Sequence, residues 1–135
     1  METAVLSKRI WLYLINTILY EGLGLLSALP FLLVLKLHVV WFILISVGFA
    51  AVISFLLGLL FLSVTKGYTF GSALLRVKYV SYDGKKIRLR QILIRSAAES
   101  IAIFALFDLL YFISNHTERG VIDRLSNSFA IDIAR

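Results

Sequence analysis

A few polar side chains stand inside otherwise apolar stretches, and any chemistry in this chain starts with them. Arg9, Tyr13, Asn16 and Tyr20 follow spacings of four, three and four, so on a helix they share one face. Glu21 lies about 100° from Tyr20, beside that face. Arg95 and Glu99 are four apart and can pair on one helical face. Asp108 follows nine residues after Glu99, about 180° around a straight helix. The two acids therefore meet one lumen only if the helix breaks between them. If Glu21, Glu99 and Asp108 titrate together, they form a proton or cation relay, with the Arg9 face lining a hydrated path. The plainer alternative is structural. Asn16 and the tyrosines would bond a neighbouring helix, and the acids would sit in ion pairs, which perturb pKa values just as well. The spacing leaves both open.

Other chemistries are excluded by residue type. There is no cysteine, so thiolate metal sites, disulfides and cysteine nucleophiles are absent. His38 and His116 fall on predicted loops with no carboxylate at metal spacing. No G-x-S-x-G, H-E-x-x-H or P-loop pattern occurs. The sequence points to no enzyme, no metal and no cofactor. Its basic segment matches no nucleic-acid-binding motif.

The elements that carry these residues belong in a bilayer. Between Arg9 and Lys36 the only acidic or basic side chain is Glu21, and between Lys36 and Lys66 there is only His38. Roughly 20 apolar residues cross a hydrocarbon core, and both runs exceed that. Composition agrees, with 60% hydrophobic and 16% charged residues, and a mean hydropathy of +0.91. The first span is placed at about 10–35, with Trp11 and Tyr13 at headgroup level and Pro30 a candidate kink. A cleaved signal peptide is the alternative for this run, which is longer than such signals usually are. After a tight turn at 36–38, the second span is placed at about 39–64. The fold class predicted is all-α and integral to the membrane: a two-helix transmembrane hairpin, a third short membrane segment and a basic loop, in one domain over 1–135.

Loop 65–90 carries Lys66, Arg76, Lys78, Lys85, Lys86, Arg88 and Arg90 against Asp83 alone. The positive-inside rule places it, with the N-terminus, in the cytoplasm. Its cations suit anionic headgroups. Thr69 is placed to cap a short helix over 70–75. Residues 77–82 read as a strand, Asp83-Gly84 as a hairpin turn and 85–89 as the return strand.

The third segment, about 91–113, carries Arg95, Glu99 and Asp108. Its clean part, 97–113, spans about 26 Å if helical and barely crosses. A single crossing and a re-entrant hairpin both remain open, and the opposed acids tilt toward re-entry. The balanced tail 114–135 does not decide the side. No internal repeat is visible. In the second span Ser46, Ala50, Ser54 and Gly58 recur every four residues as a ridge for close packing, within the chain or between copies. Gly24, Ala28, Ser96 and Ser100 are its candidate complements.

The opening Lys8-Arg9-Ile10-Trp11-Leu12-Tyr13-Leu14-Ile15-Asn16 resembles that of the RDD family of small bacterial membrane proteins. So do Lys66-Gly67-Tyr68-Thr69-Phe70-Gly71, Leu75-Arg76-Val77-Lys78-Tyr79-Val80, Asp83-Gly84-Lys85, Arg95 and the closing Gly120-Val121-Ile122-Asp123-Arg124-Leu125. The family is named for an arginine and two aspartates. The resemblance puts Arg9 in the arginine place and Asp123 in that of the last aspartate. Asn16 stands where the first aspartate is expected, and it cannot ionise. The usual Ala-Gly-Thr after the last block is here Ser126-Asn127-Ser128. The resemblance implies a role in transport, cation/proton antiport being attributed to some members, and it implies re-entry of the third segment if Asp123 is cytoplasmic. The expectation is an oligomer passing a cation, proton or small ligand along Arg9, Asn16, Glu21, Arg95, Glu99, Asp108 and Asp123. The alternative is a scaffold or accessory subunit of a larger membrane complex.

Overall fold

The computed structural model describes residues 6–35, 38–115 and 119–133. Lys36 of the expected turn, His116, and Glu118 and Arg135 of the tail lie outside the described residues. Among the described residues two helices are long and apolar enough to cross a membrane: α1 (Leu6–Leu35), which continues through Pro30, and α2 (Val39–Thr65). On α2 the residues Ser46, Ala50, Ser54, Gly58 and Leu62 are buried, one face of a helix whose other faces carry bare apolar side chains. The ridge is consumed inside the chain. Gly24 of α1 lies so close to it that a Cβ would come 2.5 Å from the Ala50 Cα. Farther along, Ser96 faces Gly58.

Lys66 takes a left-handed conformation and ends α2, and Gly67 follows at φ 124°. That positive φ favours glycine, and a Cβ there would also strike the Tyr79 carbonyl oxygen at 2.5 Å. The chain then forms α3 (Phe70–Leu74), capped as expected by Thr69, whose hydroxyl accepts from the Ser72 N–H. Strand β1 (Val77–Ser81) follows, then a turn at Asp83-Gly84 with Gly84 at φ 74°.

The return arm contributes a single bridge, Val80 to Lys86. The sheet partner is instead β2 (Ser128–Asp132) from the tail, antiparallel, with Val77 opposite Asp132 and Ser81 opposite Ser128. Segment 87–88 leaves the sheet because Ile87 is drawn into the core with Leu12, Leu62, Val77, Tyr79, Ile92 and Ala130. That core glues the sheet to the ends of α1, α2 and α4 (Leu89–Glu99).

The third apolar segment is not one helix. It breaks after Glu99 and resumes as α5 (Ala102–Asn115), bent by 97°. There is no proline or glycine at the break, where Ser100 turns its hydroxyl onto the Ala97 carbonyl at 2.8 Å. Near the start of α4, Gln91 Nε2 donates to the Asn127 carbonyl at 2.7 Å. Near the end of α5, the Tyr111 ring lies 5.9 Å from the Arg124 guanidinium. The chain therefore enters and leaves this bent unit at the same end, against residues 120–128. That end also holds the start of α1, where Lys8 Nζ meets Asp132 Oδ2 at 2.6 Å.

The structure also shows an internal repeat that the sequence hides. Between α5 and β2 lies α6 (Val121–Leu125). Each half reads as a five-residue helix, two linking residues and a five-residue strand. The second linker residue is left-handed in both, Arg76 at φ 55° and Asn127 at φ 51°. Because the strands pair symmetrically about Tyr79 and Ala130, the halves are related by an approximate twofold axis.

Candidate functional site

The charged centre is assembled from three distant pieces of chain, α1, α4 and α6. Asp123 sits at the third position of α6, and its Oδ2 accepts from the Gly120 N–H at 3.3 Å, a cap that fixes the carboxylate. Arg9 Nη1 donates to Oδ2 at 2.7 Å. Arg95 Nη2 donates to Oδ1. Four of the five Arg95 N–H donors are engaged: beside the bond to Asp123, Nη1 donates to Glu99 Oε1 at 2.8 Å, Nε to Ser128 Oγ at 3.1 Å and Nη2 also to the Ser128 carbonyl at 3.2 Å. Its plane stacks 4.1 Å from the Tyr79 ring centroid, and Arg9 lies 4.3 Å from that of Phe112. Arg95 and Asp123 are each 3% exposed, so each charge depends on its partners in place of bulk solvent.

Burial alone would raise the Asp123 pKa. The guanidiniums of Arg95 and then Arg9 outweigh it and hold the carboxyl below its ordinary 3.8. Burial pushes the Tyr79 phenol well above its ordinary value, so it stays neutral.

The twofold relation explains two further residues. Asn16 Oδ1 accepts from the Gly71 N–H at 3.0 Å, and Asp108 Oδ1 accepts from the Ile122 N–H at 2.7 Å. Gly71 and Ile122 occupy equivalent places at the starts of α3 and α6, so a long helix caps a short one in each half. Ser72 and Asp123 are equivalent too. Ser72 Oγ accepts from the Thr69 N–H at 2.7 Å, as Asp123 Oδ2 does from Gly120. Asn16 adds a bond from Nδ2 to Thr69 Oγ1 at 3.0 Å, and the Tyr20 hydroxyl accepts from the Phe70 N–H at 3.1 Å. The sequence singled out Asn16, Thr69 as a cap and Gly71 in a family-like block, but did not join them; in the structure a Cβ on Gly71 would lie 2.7 Å from Asn16 Oδ1.

Arg9, Asn16, Glu21, Arg95, Glu99, Asp108 and Asp123 all line one cavity of about 90 Å³ between α1, α2 and the bent pair. Of the α2 ridge, Ser54 and Gly58 reach it, while Ser46 and Ala50 do not. The break between α4 and α5 is what lets Glu99 and Asp108 share a lumen. This volume is large enough for several water molecules. Two of its oxygens stand apart. Glu21 Oε1 and Ser96 Oγ are buried with no hydrogen-bond partner among the described residues. Among those residues there is no group of three or more metal-ligating His, Cys, Asp or Glu side chains.

Two membrane-length apolar helices, a bent third segment and a buried Arg–Asp–Arg centre define a small membrane protein in which the start of α1 meets β2. The RDD family model matches residues 3–127, and the chain belongs to the RDD family. No curated protein and no solved structure matches the chain.

Proposed function

We propose that this protein does no covalent chemistry and passes protons or a small cation across the bacterial cytoplasmic membrane as an oligomer. The observation that carries this reading is the single polar cavity shared by Glu21, Glu99 and Asp108 among membrane helices. Intramembrane ionisable groups are costly, and those that line a cavity are the ones ion pathways use. Arg9 and Asp123 act in this reading as the fixed wall of the path. Both are tied into the clasp, so Glu21, whose Oε1 lacks a hydrogen-bond partner, is the group best placed to exchange a proton or ion. The N-terminus and loop 65–90 face the cytoplasm, with the basic loop against anionic headgroups.

The test is flux in liposomes carrying the purified protein and an internal pH dye. A sodium, potassium or pH jump should drive a signal above that of empty vesicles, and E21Q should reduce it at least tenfold. No flux under any gradient would remove the transport reading. In that event native mass spectrometry from mild detergent tests the accessory-subunit role, through a second protein at fixed stoichiometry. Such a partner would meet the outer faces of α1 and α2, since the small-residue ridge is already used within the chain.

A further inference from the structure

Among the described residues, three buried side-chain oxygen or nitrogen atoms lack a hydrogen-bond partner, and two of them, Glu21 Oε1 and Ser96 Oγ, line the same cavity. Native proteins leave few such groups unpaired, and an ion or water commonly accounts for those they do. Ser96 is the sharper case, at 2% exposure. A serine inside a helix normally returns its hydroxyl to a carbonyl one turn back. Ser46 does this to Phe42 at 2.6 Å, and Ser27 to Gly24 at 2.8 Å. Ser96 Oγ does not. It points across the gap at Gly58, 3.5 Å from where a Cβ would stand. Ser54, one turn before Gly58 on the same face, lines the cavity together with the Glu21 carboxylate. Three helices thus present oxygen atoms to one space, and the absence of a side chain at Gly58 keeps it open.

We infer that Glu21, Ser54 and Ser96 form a binding site for one small monovalent cation, separate from the Arg9–Asp123–Arg95 clasp. One carboxylate matches one positive charge. Hydroxyl and carboxylate oxygens are hard ligands that suit an alkali cation better than a transition metal. The inference rests on the proposed ion pathway for its role, but binding is measurable without flux.

The experiment is thermal unfolding of the purified protein in detergent, in sodium chloride against choline chloride at equal ionic strength. A ligand that binds only the folded state raises Tm with its concentration. Sodium should raise Tm by several degrees over choline, and E21Q should lose that sodium-dependent rise while still melting cooperatively in choline. S96A supplies the same test if E21Q does not fold, and it should weaken the sodium dependence at least tenfold. Equal Tm in sodium and choline overturns the site and leaves an ordered water as the occupant. A sodium rise undiminished in both variants also overturns it, by placing the ion elsewhere. Sodium-dependent stabilisation without vesicle flux keeps the site and removes transport; vesicle flux with equal Tm in sodium and choline does the reverse.

Discussion

Arg9 and Asp123 lie 114 positions apart in the chain and meet with Nη1 donating to Oδ2 at 2.7 Å. The same carboxylate receives Arg95 on its other oxygen. One side chain of a five-residue helix thus ties the first membrane helix to the bent third segment. The neighbouring pairs Lys8 to Asp132 and Ile133 N–H to the Arg76 carbonyl close the same end of the molecule.

Because the clasp is buried, breaking it costs more than making it contributes. D123N leaves two guanidiniums without their shared counter-charge, and removing one partner of a buried ion pair costs about 3–5 kcal/mol. Equilibrium unfolding in detergent should show a loss of that order. The triple variant R9M/R95M/D123L, which removes both guanidiniums along with the carboxylate, should recover part of it. A D123N change under about 1 kcal/mol would mean the clasp does not hold the fold.

The same carboxylate sets a pH limit. Its folded pKa is depressed below the ordinary 3.8, so its contribution is complete above the unfolded value. That contribution is lost as pH falls through the depressed folded one. Tm should be insensitive to this group from neutral pH down to about 4 and should fall below that. D123N should remove the part of the acid limb that belongs to Asp123. An acid limb unchanged in D123N would assign the loss to other carboxylates.

Periodicity and composition made the two long helices, the Thr69 cap and the Asp83-Gly84 turn legible, because each is a local matter of burial or of φ. They also stated the condition for Glu99 and Asp108 to share a lumen, a break between them. The break itself was hidden, because Ser100-Ile101 carries no proline or glycine and the bend is imposed by what α4 and α5 pack against. The true partner of β1 was hidden for a related reason. Lys85–Leu89 alternates better than Ser128–Asp132 does, but Ile87 is worth more in the core than on the sheet. Asp123 and Arg95 meet only through the tertiary fold, so spacing could not pair them; family resemblance marked both positions. The twofold repeat escaped because its halves share conformation and hydrogen-bond roles rather than residue types: Thr69 matches Gly120, and Ser72 matches Asp123.

That repeat predicts what an aspartate at position 16 does. In N16D the Gly71 N–H still meets an oxygen, and the Thr69 hydroxyl can donate to the carboxylate while accepting from Ser72. Stability should change by no more than about 1 kcal/mol. N16L strands the Gly71 N–H and should cost about 1–3 kcal/mol, with faster amide exchange at Gly71. The mirror pair, D108N against D108L, should behave alike at Ile122. Equal damage from N16D and N16L would contradict the shared capping role.

The helix hairpin offers a controlled comparison of two glycines on α1. A Cβ at Gly24 would come 2.5 Å from the Ala50 Cα, a backbone atom that cannot swing aside, whereas nothing lies within 4 Å of one at Gly22. G24V should destabilise by about 1–3 kcal/mol or more through forced separation of the helices. G22A should be neutral or slightly stabilising. If both variants unfold alike, α1 and α2 do not cross at Gly24.

The last case separates a crowding effect from a hydrogen-bond effect. In G71A the new methyl would stand 2.7 Å from Asn16 Oδ1 and 3.2 Å from Ile15 Cγ2. The first contact belongs to an oxygen already held by the Gly71 N–H at 3.0 Å, so it cannot retreat without giving up that bond. G71A should therefore cost about 1–3 kcal/mol. N16A should cost a similar amount through the lost cap. The double variant N16A/G71A removes the oxygen that the methyl would strike, so its loss should fall short of the sum by 1 kcal/mol or so. A strictly additive double variant would place the cost of G71A in the Ile15 contact or the backbone, and would detach Gly71 from the role of Asn16.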